Sequence, residues 1–251
     1  MKNNFFKLPV GNINSKPSYN SEISSQILYG EKFKIISKKK GWLKIKTNFD
    51  NYVGFIKEGK YNQNFKPQYK IHKIKSRIFR KTNNKFLPTN SFLFFGSGIS
   101  INRFNNKYFE FEKNRWIKKK DVKKIYHYEK DFTKVFKLFL KSKYLWGGKT
   151  ASGIDCSALI QMYFYYNRIF FPRDSKDQIK FCKKKLNNKK ISKGDIIFWK
   201  GHVGVCINNS KFIHAYGPRK KVIIMPIDYT ISTIQKTANL SVKKISNINK
   251  F

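Results

Sequence analysis

The sequence predicts an α+β chain in which two small β-barrels precede a domain of helices followed by a sheet. Three observations carry this prediction. Residues 1–60 hold short apolar or alternating runs, FKII, GWLKIKT and NYVGFIK, separated by the turn-rich pieces SKKKG and NFDN; such spacing suits a small barrel. Residues 68–126 repeat that style less regularly in YKIHKI, SRIFRK, SFLFFGSGISI, KYFEFE and RWIKKKDV. From residue 127 onward helical periodicity comes first and strands follow, the order of an α+β layout. The predicted domains are therefore 1–60, 68–126 and 127–251, with YNQNFKP at 61–67 as a linker.

In the third domain, Phe132, Val135, Phe136, Phe139 and Leu140 recur at a helical period. A central helix is predicted over Cys156–Asn167, with Asp155 or Ser152 as its cap. DSKDQIKFC reads as a short helix, and DIIFW, VGVCI, KFIHAY and KVIIMPI read as strands of an antiparallel sheet. SVKKISNINKF is expected to be a frayed tail.

Composition narrows the function classes. A 251-residue chain that is 40% hydrophobic and 17% aromatic can fill one or two ordinary cores, or three small ones. The net charge of +40 comes from basic residues spread along the whole chain, with no nucleic-acid motif among them. It reads as solvated surface that helps attract anionic peptides, and no nucleic-acid partner is expected. No run approaches the roughly 20 apolar residues of a membrane span. The first residues lack the apolar core of about 7–15 residues that a secretory signal needs. No membrane span and a cytoplasmic location are the expectations. Three scattered cysteines give neither a disulfide framework nor a zinc pattern, and Cys182 and Cys206 read as buried free thiols; no metal or cofactor is expected.

The chemistry concentrates in YLWGGKTASGIDCS, residues 144–157. It sets Cys156 after a glycine-punctuated loop and before an apolar run, on the first turn of a helix. There the unpaired N–H groups and the helix dipole favour a thiolate. Two histidines follow in strand-like surroundings, His202 beside Gly201 and Gly204, and His214 in KFIHAY. Period-2 geometry places Phe212, His214 and Tyr216 on one face. A cysteine, a base and an orienting group are the minimum for acyl transfer by a thiol.

These blocks, with FPRDSKDQ and KGDIIFWKGHVGV between them, resemble the NlpC/P60 cysteine peptidases, which cleave bacterial cell-wall peptides. QILYGEKFKII, GWLKI and DNYVGFI are similar to strands of the bacterial SH3-like domains that precede such domains in γ-D-glutamyl-L-diamino acid peptidases. The resemblance implies a papain-like catalytic domain behind two SH3-like barrels, the second degenerate. It implies Cys156 as nucleophile, His202 as base and His214 as its orienting partner. Tyr144 would donate to the developing oxyanion beside the Cys156 backbone N–H. Asp155, Ser157 and Ser175 would bind the free α-amine of the substrate, and Tyr52 would close that pocket. The implied substrate is L-Ala-γ-D-Glu-diamino acid. Alternatives stand beside these readings: Asp155 as a helix cap, Arg173 as a structural residue, Tyr144 and Tyr52 as packing aromatics. Ala158 stands where the family usually has glycine, Lys143 where proline is frequent, and Asn167 at a usual glycine position suited to a left-handed cap. An endopeptidase of intact wall, another acyl chemistry and a non-catalytic wall-binding protein are the rival functions.

Overall fold

The computed structural model describes residues 4–59, 61–183 and 190–250. The chain forms two compact units, residues 1–128 with 166–168, and residues 129–165 with 169–251.

The first unit begins with β1 (Asn4–Phe6), β2 (Val10–Asn14), β3 (Ile23–Leu28), β4 (Lys32–Lys39), β5 (Trp42–Thr47), β6 (Val53–Lys57) and β7 (Tyr61–Asn62). They make one antiparallel sheet in the order β3-β2-β6-β5-β4-β1-β7. Phe6, Ile13, Ile27, Phe33, Leu43, Ile45 and Ile56 pack into a single core. Because every strand from β1 to β6 supplies one of them, the sheet must fold over onto itself, barrel-like, although its pairing does not close into a ring among the described residues. Two expectations are corrected here. β4 continues through Ser37–Lys39, read as turn, because a register shift between Ile35 and Ser37 turns Ile36 outward and leaves only Lys40 and Gly41, both at positive φ, to make the hairpin turn. The start of the expected linker, Tyr61–Asn62, pairs with β1.

The same unit continues with β8 (Tyr69–Ile71), β9 (Lys75–Thr82), β10 (Lys85–Phe94), β11 (Gly98–Ile99), β12 (Arg103–Phe104), β13 (Tyr108–Glu112), β14 (Arg115–Lys118) and β15 (Val122–Lys124). These form a five-stranded sheet, β10-β9-β14-β13-β12, and a three-stranded one, β11-β8-β15. Their core, Ile71, Ile78, Leu93, Ile99, Phe111, Ile117 and Val122, also takes in Tyr29 from the turn after β3. The Tyr29 hydroxyl donates to Glu112 at 2.9 Å, and Glu112 also pairs with Lys7 and Arg115. Burial first, and then the Glu112 charge, hold the Tyr29 phenol proton far above its ordinary range.

The second unit opens with α1 (Phe132–Leu138), whose cap Asp131 accepts from the Thr133 N–H at 3.0 Å. β16 (Lys149–Thr150) and β17 (Gly153–Ile154) form a small hairpin before α2 (Cys156–Asn167) and α3 (Ser175–Phe181). α2 is buried at every position but Tyr165, as a helix apolar all round requires. Its left-handed closing residue is Arg168, φ +61°, rather than Asn167. The Ile169 N–H then returns to the Phe164 carbonyl at 2.9 Å, the six-to-one bond of a Schellman end.

The sheet of this unit contains β18 (Asp195–Trp199), β19 (His202–Cys206), β20 (Lys211–Tyr216), β21 (Lys221–Pro226) and β22 (Lys244–Asn247), in the order β21-β20-β19-β18-β22. The expected frayed tail is thus corrected: it is an edge strand paired with β18 from Asp195↔Asn247 to Phe198↔Lys244. Ser246 and Ile248 are buried there, and the Asn247 amide donates to Asp195 at 2.8 Å. Between β21 and β22 lies α4 (Ile227–Ala238), which the local sequence does not announce. Its many Thr, Ser and β-branched residues have weak helix propensity, yet Ile227, Thr230 and Ile234 fall at helical spacing and are buried. Among the described residues, no helix is long and apolar enough to cross a membrane.

Candidate active site

Every residue of the candidate site except Tyr52 belongs to the second unit. The site is built around the start of α2. The loop before it folds back: Gly148 donates to the Leu145 carbonyl at 2.9 Å, and Ile154 donates to the Lys143 carbonyl at 3.0 Å. A side chain at position 148 would meet the Gly153 carbonyl oxygen at 2.5 Å, so the two backbones can touch only because this residue is glycine. The loop thereby delivers Cys156 to the first helical position, 4% exposed.

Asp155 is the cap of α2. Its Oδ1 accepts from the Ala158 N–H at 2.8 Å, the third N–H of the helix. Oδ1 also accepts from Ser157 Oγ at 3.1 Å and Arg173 Nη1 at 3.0 Å, while Oδ2 accepts from the Gly147 N–H at 2.9 Å and Arg173 Nη2 at 2.7 Å. A carboxylate offers about four lone-pair sites, and five donors already address this one. The structural reading of Asp155 and Arg173 is therefore met in full. A substrate ammonium could reach Asp155 only by displacing one of these partners. Ser157 is likewise engaged, donating to Asp155 and accepting from Arg173 Nη1 at 3.0 Å. Gln178, which no motif singles out, braces the same turn by donating to the Ser157 and Pro172 carbonyls, each at 2.9 Å. Ser175 heads α3, half-buried, two residues beyond Arg173.

His202 opens β19 opposite Trp199, and His214 sits in the middle of β20, fully buried. His202 Nε2 lies 2.9 Å from His214 Nδ1, and His214 Nε2 lies 3.4 Å from Met225 Sδ. The His214 ring stacks on Tyr216 with centroids 4.6 Å apart and meets Phe212 at 5.2 Å, so the three share a face. Gly204 gives this face its room: a methyl group there would stand 2.4 Å from the Phe212 ring and 2.8 Å from His214 Cβ.

Cys156 Sγ lies 4.0 Å from the Gly201 carbonyl oxygen, at the turn leading into His202. Burial pushes its thiol up to about 12, with Asp155 adding to the rise and the Val203 N–H, Arg173 and Ser157 N–H opposing it. Burial also pushes His202 down to about 4, and burial with His202 pushes His214 lower still. The thiolate expected at the helix start is thus overridden at rest: loss of solvent outweighs the N–H groups, and thiol and imidazole are both neutral. Tyr144 is half-buried beside them. Burial, with smaller contributions from Cys156 and Asp155, raises its phenol well above the ordinary range, so it is a donor at neutral pH.

Tyr52 lies in the first unit, packed on that unit's first core, with its hydroxyl donating to the Ser24 carbonyl at 3.3 Å. Cys182 and Cys206 are buried and form no disulfide. Among the described residues, no group of three or more His, Cys, Asp or Glu side chains is placed to hold a metal ion.

This geometry can be set beside known proteins. Residues 141–239 match the NlpC/P60 family, and residues 13–60 match the bacterial dipeptidyl-peptidase SH3 domain. The chain therefore carries an NlpC/P60 domain behind a bacterial SH3 domain. It is 24% identical over 235 residues to the γ-D-glutamyl-L-lysine dipeptidyl-peptidase of Bacillus subtilis (strain 168), covering 83% of this chain and 77% of that one. It is 34% identical over 77 residues to dipeptidyl-peptidase 6 of Lysinibacillus sphaericus, covering 31% of this chain and 28% of the relative. It is 36% identical over 92 residues to a "probable endopeptidase NlpC homolog" of Haemophilus influenzae, covering 35% and 49%. The chain thus spans under half the length of these last two relatives. Among solved structures, an NlpC/P60 family protein from Bacillus cereus ATCC 10987 superposes with a TM-score of 0.79 at 18% identity, covering 98% of this chain and 99% of that one, which establishes the fold.

Proposed function

We propose that the chain is a cysteine peptidase of bacterial cell-wall peptides, acting on the γ-D-glutamyl–diamino acid bond. The observation that carries the reading is the His202–His214 contact of 2.9 Å within the unit that mounts Cys156 on the first turn of α2. Cys156 Sγ attacks the amide carbonyl as its proton passes to His202. The oxyanion is met by the Cys156 N–H and the Tyr144 hydroxyl. His202 then protonates the departing amine, and water cleaves the thioester to free the acid and restore the thiol. The substrate class is supported by the name of the Bacillus subtilis relative, which aligns along most of both chains.

A requirement for a free alanine amine is the finer part of the proposal. It would confine the enzyme to peptides already released from sugar, and hence to recycling of wall peptides in the cytoplasm. Asp155 is not assigned the amine, because its carboxylate is already committed to Arg173 and the helix start. Ser175 and Tyr52 are proposed for substrate binding, with Ser157 held in place as part of the Asp155–Arg173 assembly.

The test is release of L-Ala-D-Glu from L-Ala-γ-D-Glu-diaminopimelate and from its lysine counterpart, beside the same peptides acetylated on the alanine amine, with Cys156→Ala as the blank. Cleavage of the free peptide alone supports the whole reading. Equal cleavage of both forms keeps the peptidase, removes the amine requirement and favours the intact-wall endopeptidase. Cleavage of neither refutes the proposal.

A further inference from the structure

The contact between His214 Nε2 and the Met225 sulfur, at 3.4 Å, bears on where the imidazole protons sit. A thioether sulfur carries no hydrogen and can only accept. The proton shared in that contact must therefore belong to His214 Nε2. A neutral imidazole has one N–H, so His214 Nδ1 is then bare and acts as an acceptor. Its neighbour at 2.9 Å, His202 Nε2, must supply the hydrogen. His202 is neutral as well, since burial holds it far below its ordinary range, and its Nδ1 is left with a lone pair. That nitrogen is the one not engaged by His214, and a base needs this lone pair to take the Cys156 proton.

We infer that Met225 is a positioning residue: its sulfur fixes the tautomers of both histidines, so that His202 Nδ1 rests unprotonated. Without the acceptor, the pair can relax to the mirrored arrangement, with protons on His214 Nδ1 and His202 Nδ1, in which the base is blocked. The position is defined by the fold. Met225 lies on β21 opposite Phe212 and is 9% exposed; with Phe212 and Tyr216, the rings flanking His214, it belongs to one core cluster. No other polar side chain of the described residues is placed at His214 Nε2. This inference rests on the reading of Cys156 and His202 as the reacting pair.

The test uses the full chain labelled with ¹⁵N-histidine; four histidines make assignment tractable. In the wild type at neutral pH, the nitrogen shifts should show N–H at Nε2 and a bare Nδ1 on both His202 and His214. In Met225→Leu, which keeps the bulk and removes the acceptor, a population with N–H at Nδ1 should appear on both rings. Alkylation of Cys156 by iodoacetamide should slow about fivefold, the factor one ordinary net hydrogen bond is worth. Met225→Gln, whose amide oxygen accepts, should restore both readouts. The wild-type spectrum alone decides the matter if the Leu variant does not fold: N–H at Nδ1 of either ring overturns the inference. So does a Leu variant with unchanged shifts and unchanged alkylation. Because neither readout uses a peptide, a wild type that shows these tautomers but cleaves no peptide would refute the peptidase reading and leave the tautomer assignment standing.

Discussion

Replacing Arg173 by Met tests whether the Asp155–Arg173 pair is the keystone beneath Cys156. The guanidinium makes two bonds to the Asp155 carboxylate, at 3.0 and 2.7 Å, one to Ser157 Oγ at 3.0 Å and one to the Gly148 carbonyl at 3.3 Å. The side chains of Arg173 and Asp155 are 1% and 8% exposed. Removing one member of a buried pair strands the other charge and costs about 3–5 kcal/mol, a large part of the roughly 5–15 kcal/mol that holds a domain together. With a urea slope of about 2 kcal/mol/M, the midpoint should fall by about 2 M. Cys182 and Cys206 provide the assay: both are buried and both lie in the second unit, so in a Cys156→Ser background pulsed thiol labelling against urea follows that unit alone. Asp155→Asn on top of Arg173→Met removes the stranded charge while the amide oxygen can still cap Ala158, and should recover at least about 1 kcal/mol. A midpoint shift below about 0.5 M for Arg173→Met, or a double variant no more stable than the single one, would refute the reasoning.

Other consequences follow from the same structure. His202 and His214 both bind protons less readily folded than unfolded, so the unfolded chain takes up more protons below the ordinary histidine range. Stability is therefore fully present above pH ~6.5 and is lost as pH falls toward about 4, by about 1.4 kcal/mol per pH unit for each histidine that charges on unfolding; urea midpoints between pH 7 and 5 check the sign, and a flat profile in His202→Ala/His214→Ala identifies the source. Deleting residues 244–251 strips β22 from β18 and exposes the Phe198 edge, so the second unit should lose several kcal/mol and self-associate, as light scattering will record. Tyr144→Phe should lower kcat by about 10²-fold with KM little changed if the hydroxyl meets the oxyanion; equal kcat would make Tyr144 a packing aromatic.

The candidate constellation was legible because its parts are local. A cysteine at the break between a glycine loop and an apolar run, and histidines inside short apolar strands, announce themselves within about ten residues each. The cap role of Asp155 was legible for the same reason. What it binds was not: Arg173 lies 18 residues on, and only the fold shows that its fork consumes the carboxylate an amine would need. Met225 gave no signal, since a methionine in KVIIMPI is indistinguishable from core until β21 lies beside β20. The two missed elements share a cause. α4 is written in residues of weak helix propensity and is held by three buried residues, and β22 reads Lys-Ile-Ser-Asn, polar at three of four positions, yet is fixed by pairing with β18. In both, tertiary burial overrides local preference.

The neutral resting site is compatible with thiol catalysis because the two burial penalties are not independent. Charging Cys156 alone, or His202 alone, puts a net charge into a site that has lost its water, and each group is accordingly held in its neutral form. Moving one proton from sulfur to His202 creates two charges but no net charge. The mutual attraction of two opposite charges then offsets part of the two burial penalties. In the proposed mechanism, attack on a carbonyl would remove the sulfur charge as fast as it forms and move it to an oxygen met by the Cys156 N–H and Tyr144. The imidazolium of that mechanism would be stabilised by donating through Nε2 to His214, whose own low proton affinity would keep that proton on His202 rather than let it pass down the relay. The deep burial of His214 would therefore have a chemical use in that mechanism: a second histidine of ordinary basicity would compete for the proton that the leaving amine must receive.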